Sequence, residues 1–132
     1  MTLSRTVLEC FETENPSSAL WSLKDSCVNK LTDLTQLVRS DLSKLERKIL
    51  VTLITIDVHA RDIVEELARD NVTSSNEFGW QMQLRYYWND DTDDINVRQT
   101  NANFIYGYEY LGAQPRLVVT PMTDRQVDRW VE

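Results

Sequence analysis

Residues 43–71 read SKLERKILVTLITIDVHARDIVEELARDN, and this stretch decides the architecture. Leu45, Ile49, Leu53, Ile56, Ala60, Ile63 and Leu67 recur at intervals of three and four, which lines up one face of an α-helix. Leu50 and Val64 widen that face. Ser43 followed three residues later by Glu46 is a capping box: the serine oxygen takes an orphan amide while the glutamate reaches back to the serine amide. The helix is expected to end near Asn71, so that Asn71-Val72-Thr73 reads as a helix-ending turn rather than a glycosylation acceptor.

Working outward toward the N-terminus, Asn15-Pro16 marks an earlier helix start, since asparagine caps free amides and proline at the first helical position forfeits no bond. Leu20, Leu23, Cys27, Leu31, Leu34 and Val38 then form one stripe over about six turns. Trp21 and Leu37 are expected to broaden it. The polar junction between the two helices is short, so an antiparallel helical hairpin brings their stripes together.

After the loop composition Thr73-Ser74-Ser75-Asn76 the pattern changes to strands and rings. Trp80, Tyr86, Tyr87 and Trp88 come first, NDDTDD at 89–94 makes a turn, and Ile95, Val97 and Gln99 alternate with polar residues. In FIYGYEY, Phe104, Tyr106, Tyr108 and Tyr110 fall at even spacing, so an extended chain presents four rings on one face. Thr123-Asp124-Arg125 resembles a further helix start. The fold class is therefore α+β: a long antiparallel helical hairpin followed by a small antiparallel β segment.

Composition narrows the function. A chain of 132 residues with 14 Lys+Arg against 21 Asp+Glu carries a formal charge of -7, which argues against a partner held through phosphate contacts, nucleic acid above all, and against a basic membrane-surface role. ILVTLITI at 49–56 is too short to span a bilayer, and no signal peptide is evident. The three glycines, Gly79, Gly107 and Gly112, do not build a phosphate loop. Cys10 and Cys27 form no metal-type pair, and Cys27 lies on the apolar stripe, so a core role in a reducing compartment is expected.

His59 and Asp62, one helical turn apart, supply two metal ligands at best and read as structural. Asp90, Asp91, Asp93 and Asp94 lack the glycine and closing glutamate of a calcium loop and read as a solvated turn. The ring stripe reads as core or interface in preference to a base-stacking platform.

Beyond these readings, IDVHARD (56–62), WQMQLRYYW (80–88), RQTN (98–101), YGYEYLG (106–112) and RLVVTPMTDR (116–125) occur in an order that strongly resembles dynein heavy chains of the axonemal branch. The resemblance runs from about Leu31 to Arg125. It implies that residues 17–88 are the C-terminal part of the linker and that 89–125 form the junction with, and start of, the first AAA+ module. Residues 1–16 remain unassigned and 126–132 are expected to be non-native.

The resemblance also implies that Leu117, Val118, Val119, Thr120 and Pro121 form the loop beside the adenine. In the parent family ATP and Mg²⁺ serve an ATP-driven, minus-end-directed microtubule motor. Its partners are the rest of the motor ring and linker, the intermediate and light intermediate chains and microtubules, in the cytoskeleton of the cilium or flagellum. No phosphate loop follows Arg125, so this chain alone is expected neither to hydrolyse ATP nor to bind it tightly. The alternatives are a protein-interaction module for dynein subunits or other helices, and an independent nucleotide-binding protein.

Overall fold

The structure, a computed structural model, describes residues 3–110 and Gly112. Four helices precede a three-stranded sheet: α1 (Leu3–Phe11), α2 (Pro16–Val38), α3 (Lys44–Arg69), α4 (Phe78–Gln81), β1 (Arg85–Asn89), β2 (Asp94–Gln99) and β3 (Ala102–Ile105). The α+β architecture and the two long helices are those the sequence predicts. Two compact units are present, one of Met1–Ser26 with Asp62–Tyr110, the other built on Cys27–Arg61.

Both helix starts use the expected caps. Asn15 Oδ1 accepts from the Ser18 amide at 3.2 Å, satisfying a donor that the first turn leaves without an intrahelical partner. At α3 the capping box is reciprocal: Glu46 N donates to Ser43 Oγ at 3.3 Å and Ser43 N donates to Glu46 Oε2 at 2.8 Å. These bonds hold the Glu46 carboxyl below its ordinary value.

The end of α3 is a Schellman turn. Asn71 adopts a left-handed conformation at φ 53°, Val72 N donates to Leu67 O at 3.0 Å and Asn71 N donates to Ala68 O at 3.4 Å. The sequon-like triplet is thus the helix-ending turn. Glu77 then ties the following loop: its Oε1 accepts from Thr73 N at 2.8 Å, Ser74 N at 2.9 Å and Thr73 Oγ1 at 3.2 Å.

The core of the first unit is Val7, Cys10, Leu20, Ile63, Val64, Leu67, Ala68, Val72 and Trp80. Full burial of an aliphatic side chain such as Leu20 contributes roughly 1.5–3 kcal/mol. Helix α1, within the stretch left unassigned by sequence, buries Ser4, Val7 and Cys10. Trp80 lies in α4 rather than in a strand, and its ring meets Phe11 edge to face. Among the described residues its buried Nε1 has no hydrogen-bond acceptor.

In the second unit Leu31 is buried, Lys30 Nζ lies 2.9 Å from Asp57 Oδ2, and Arg47 Nη1 donates to Val38 O at 2.9 Å. These links pair the two helices antiparallel, as expected of a hairpin. The Lys30–Asp57 approach is an ion pair by distance without the alignment of a hydrogen bond. The expected stripe is only partly covered: Leu37, Leu45, Ile49 and Ile56 are exposed, Leu45 at 64%. Trp21, in the first unit, is exposed too and does not broaden the buried face.

The sheet is an antiparallel meander in the order β1-β2-β3. Asn89 and Asp94 pair across the acidic turn, where Asp91 N donates to Asn89 Oδ1 at 3.0 Å and Asp93 takes φ 55°. Helix α1 packs on β1, and the Tyr86 amide donates to Ser4 Oγ at 2.9 Å.

Candidate functional site

The pleat of the meander sorts its side chains. Tyr86 stands opposite Val97 and Val97 opposite Phe104, while Trp88 stands opposite Ile95, so these residues share one face. Tyr106 joins them, its amide donating to Ile95 O at 2.8 Å one residue past the end of β3. The Tyr106 ring lies edge to face with Tyr86 at 6.5 Å and with Tyr108 at 5.1 Å. Trp88 is 53% exposed and Phe104 66%, so this aromatic face is surface and not core.

The expected four-ring stripe does not form as drawn. Strand β3 stops at Ile105, and Tyr108 has φ 50°, a left-handed conformation that ends strict alternation. Tyr108 stays with the rings by contact with Tyr106, whereas Tyr110 is almost fully exposed. On the opposite face the Arg98 guanidinium lies 5.2 Å from the Tyr87 ring centroid.

Within IDVHARD the side chain in an evident charge interaction is Asp57, 15% exposed and paired with Lys30. Burial pushes the nearby Cys27 thiol up, Asp57 raises it further and Lys30 opposes. His59 is half-buried, and Asp62 and Arg61 also have partners. Among the described residues no group of three or more His, Cys, Asp or Glu side chains could hold a metal ion. Asp90, Asp91 and Asp93 lie in the exposed turn, with Asp94 opening β2. The expected adenine-side residues Leu117, Val118, Val119, Thr120 and Pro121 lie outside the described residues.

One arrangement has no counterpart in the sequence reading. Three consecutive carbonyl oxygens, from the last residue of α4 toward β1, are all engaged: Gln81 O accepts from Thr100 N at 2.7 Å, Met82 O from Gln99 Nε2 at 3.1 Å, and Gln83 O from Arg85 Nε at 3.3 Å. Arg85 Nη2 donates to Thr100 O at 3.3 Å and closes the ring of bonds. Two of the resemblance motifs, RQTN and WQMQLRYYW, thereby hold one another. Spacing gives no sign of a contact between residues 81–85 and 99–100.

No helix among the described residues is long and apolar enough to cross a membrane. No protein-family model matches the chain. Individual proteins do: it is 50% identical over 123 residues, 92% of its length, to human dynein axonemal heavy chain 6. It is 50% identical over 119 residues to mouse dynein axonemal heavy chain 1, and 50% identical over 103 to the dynein-1-beta heavy chain of the flagellar inner arm I1 complex of Chlamydomonas reinhardtii. The first match is longer than the stretch 17–125 and so takes in part of at least one terminal segment. The chain spans only 2–3% of the length of these relatives. Identity of about half, sustained over most of the chain, makes this sequence a segment of the axonemal dynein heavy chain family.

Proposed function

We propose that the chain is the part of an axonemal dynein heavy chain in which the end of the linker enters the first AAA+ module, and that it couples the two mechanically. The observation that carries this reading is the pair of uncovered apolar surfaces, the α3 residues Leu45, Ile49 and Ile56 and the ring face of the sheet. Surfaces of this kind mark interfaces, and a chain matching 3% of a heavy chain has the rest of that protein to cover them. In the complete motor, ATP and Mg²⁺ supply the driving chemistry and the partners are the motor ring, the intermediate and light intermediate chains and the microtubules of the axoneme.

Leu117, Val118, Val119, Thr120 and Pro121 form an apolar wall with backbone groups for the adenine edge in this reading. Base contacts without a phosphate loop give little affinity, so the free chain is expected to bind ATP no tighter than about millimolar.

The test exchanges the corresponding stretch of mouse dynein axonemal heavy chain 1 for this chain's residues 3–110 and measures ATP turnover and microtubule gliding. Retention of both supports the reading, and loss of both in a folded chimera overturns it. The exposed rings favour a second reading, in which the chain acts by itself as an interaction module. Micromolar affinity of the free chain for a purified dynein intermediate chain would favour that one instead.

A further inference from the structure

We infer that the corner between α4 and β1 is a locked joint, held by Gln99, Thr100 and Arg85, that passes load between the end of α3 and the sheet; this rests on the reading of the chain as part of a motor's lever. Residues 82–84 lie outside regular structure, the kind of segment that opens first. Here the carbonyls of Gln81, Met82 and Gln83 all accept bonds from Thr100, Gln99 and Arg85 respectively.

Two unfavourable features are maintained at this one place. Thr100 is β-branched yet sits at φ 46°, where Gly or Asn would fit with less strain. Arg85 is a buried cation, 8% exposed, whose guanidinium donates to carbonyl oxygens and not to a carboxylate. A corner needing only to connect two elements would carry neither. Both make sense when relative orientation is what the segment supplies, because Arg85 grips its own strand entry and the β2–β3 turn together.

The path to α3 is equally tight. Glu77 binds the Thr73 and Ser74 amides, and a methyl group added at Gly79 would stand 3.1 Å from Val72 Cγ2, so α4 presses against the turn that ends α3. Trp80, one residue further, is buried in the same core as Leu67. From Leu67 to Thr100 each step is thus a hydrogen bond or a buried contact.

The test has two arms. In the free chain, hydrogen exchange at the Thr100 amide is expected to be protected, and Gln99→Ala to speed it about five- to tenfold, the loss of one ordinary hydrogen bond. A Thr100 amide exchanging as fast as in an unstructured peptide overturns the joint whatever the chain's function. In a dynein axonemal heavy chain carrying this segment, Gln99→Ala is expected to lower gliding velocity while ATP turnover holds.

Ser4→Ala, which removes a bond of the same unit outside the corner, is expected to change neither. Equal falls in turnover and gliding, or equal effects of Ser4→Ala and Gln99→Ala, would reduce the corner to ordinary stability and overturn the proposal. Arg85→Lys serves as a second variant, keeping the charge while losing the fork that bridges Gln83 and Thr100. If the unsubstituted chimera fails to glide, the motor reading fails while the exchange arm still decides the lock.

Discussion

The rings of Phe11 and Trp80 meet edge to face, their centroids 5.8 Å apart and their planes at 83°. This contact joins α1 to α4 across 69 residues of sequence, and it gives the N-terminal stretch a fixed place in the first unit's core. Trp80→Ala is expected to destabilise that unit by about 3–5 kcal/mol, and Phe11→Leu by about 1 kcal/mol through loss of the aromatic pair. Native-state hydrogen exchange of α1 amides and of the last turns of α3 measures both. Protection lost in only one of these helices would show that they do not share a core.

Gly79 is expected to resist replacement. Alanine ordinarily suits a helix better than glycine, but its methyl would meet Val72 Cγ2 at 3.1 Å, and Val72 is buried in the Schellman turn. Gly79→Ala should therefore cost about 1–2 kcal/mol, and adding Val72→Ala should make the glycine replacement cheaper than it is alone. A thermal-stability cycle of the four proteins decides the sign.

The loop after α3 should loosen in acid. Hydrogen bonding from the Thr73 amide, followed by bonds from the Ser74 amide and the Thr73 hydroxyl, holds the Glu77 carboxyl below its ordinary value of 4.5. A carboxyl whose folded value is depressed stabilises fully above the unfolded value, and that stabilisation is lost as pH falls through the folded one. Exchange protection at the Thr73 and Ser74 amides should accordingly hold at pH 7 and fall below 4.5, while Glu77→Gln should flatten the profile.

Cys27 reports on the hairpin of the second unit. Its thiol is pushed up chiefly by burial, then by Asp57, with Lys30 opposing. Asp57→Asn should speed alkylation of Cys27 at neutral pH, and Lys30→Met should slow it. The Lys30–Asp57 pair itself, with Lys30 59% exposed, should contribute under about 1 kcal/mol in a double-mutant cycle.

What could be read from sequence was local. Asn15 with Ser18, Ser43 with Glu46, and Asn71 at the end of α3 each lie within four residues of their partners, and their chemistry specifies the geometry. The stripe of α3 was equally legible, but which of its residues would be covered depends on neighbours, and so Leu45 and Ile49 were expected inside and are exposed. Helix α1 offered Leu3, Val7, Cys10 and Phe11 at helical spacing, a signal too short to stand without its packing against Trp80. The Arg85–Thr100 and Ser4–Tyr86 bonds span 15 and 82 residues, and no pattern of residue types announces them.

The bond from the Tyr86 amide to Ser4 gives the small sheet a polarity of growth. Strand β1 is an outer strand, and an outer strand offers free amides to any extended chain. With α1 packed beside it and the Tyr86 amide taken by a hydroxyl, that margin is sealed at its entry. The other margin, β3, is exposed at every residue from Ala102 to Ile105. A fourth strand, whichever polypeptide supplied it, would add beside β3, carrying the ring-bearing face outward in that direction alone.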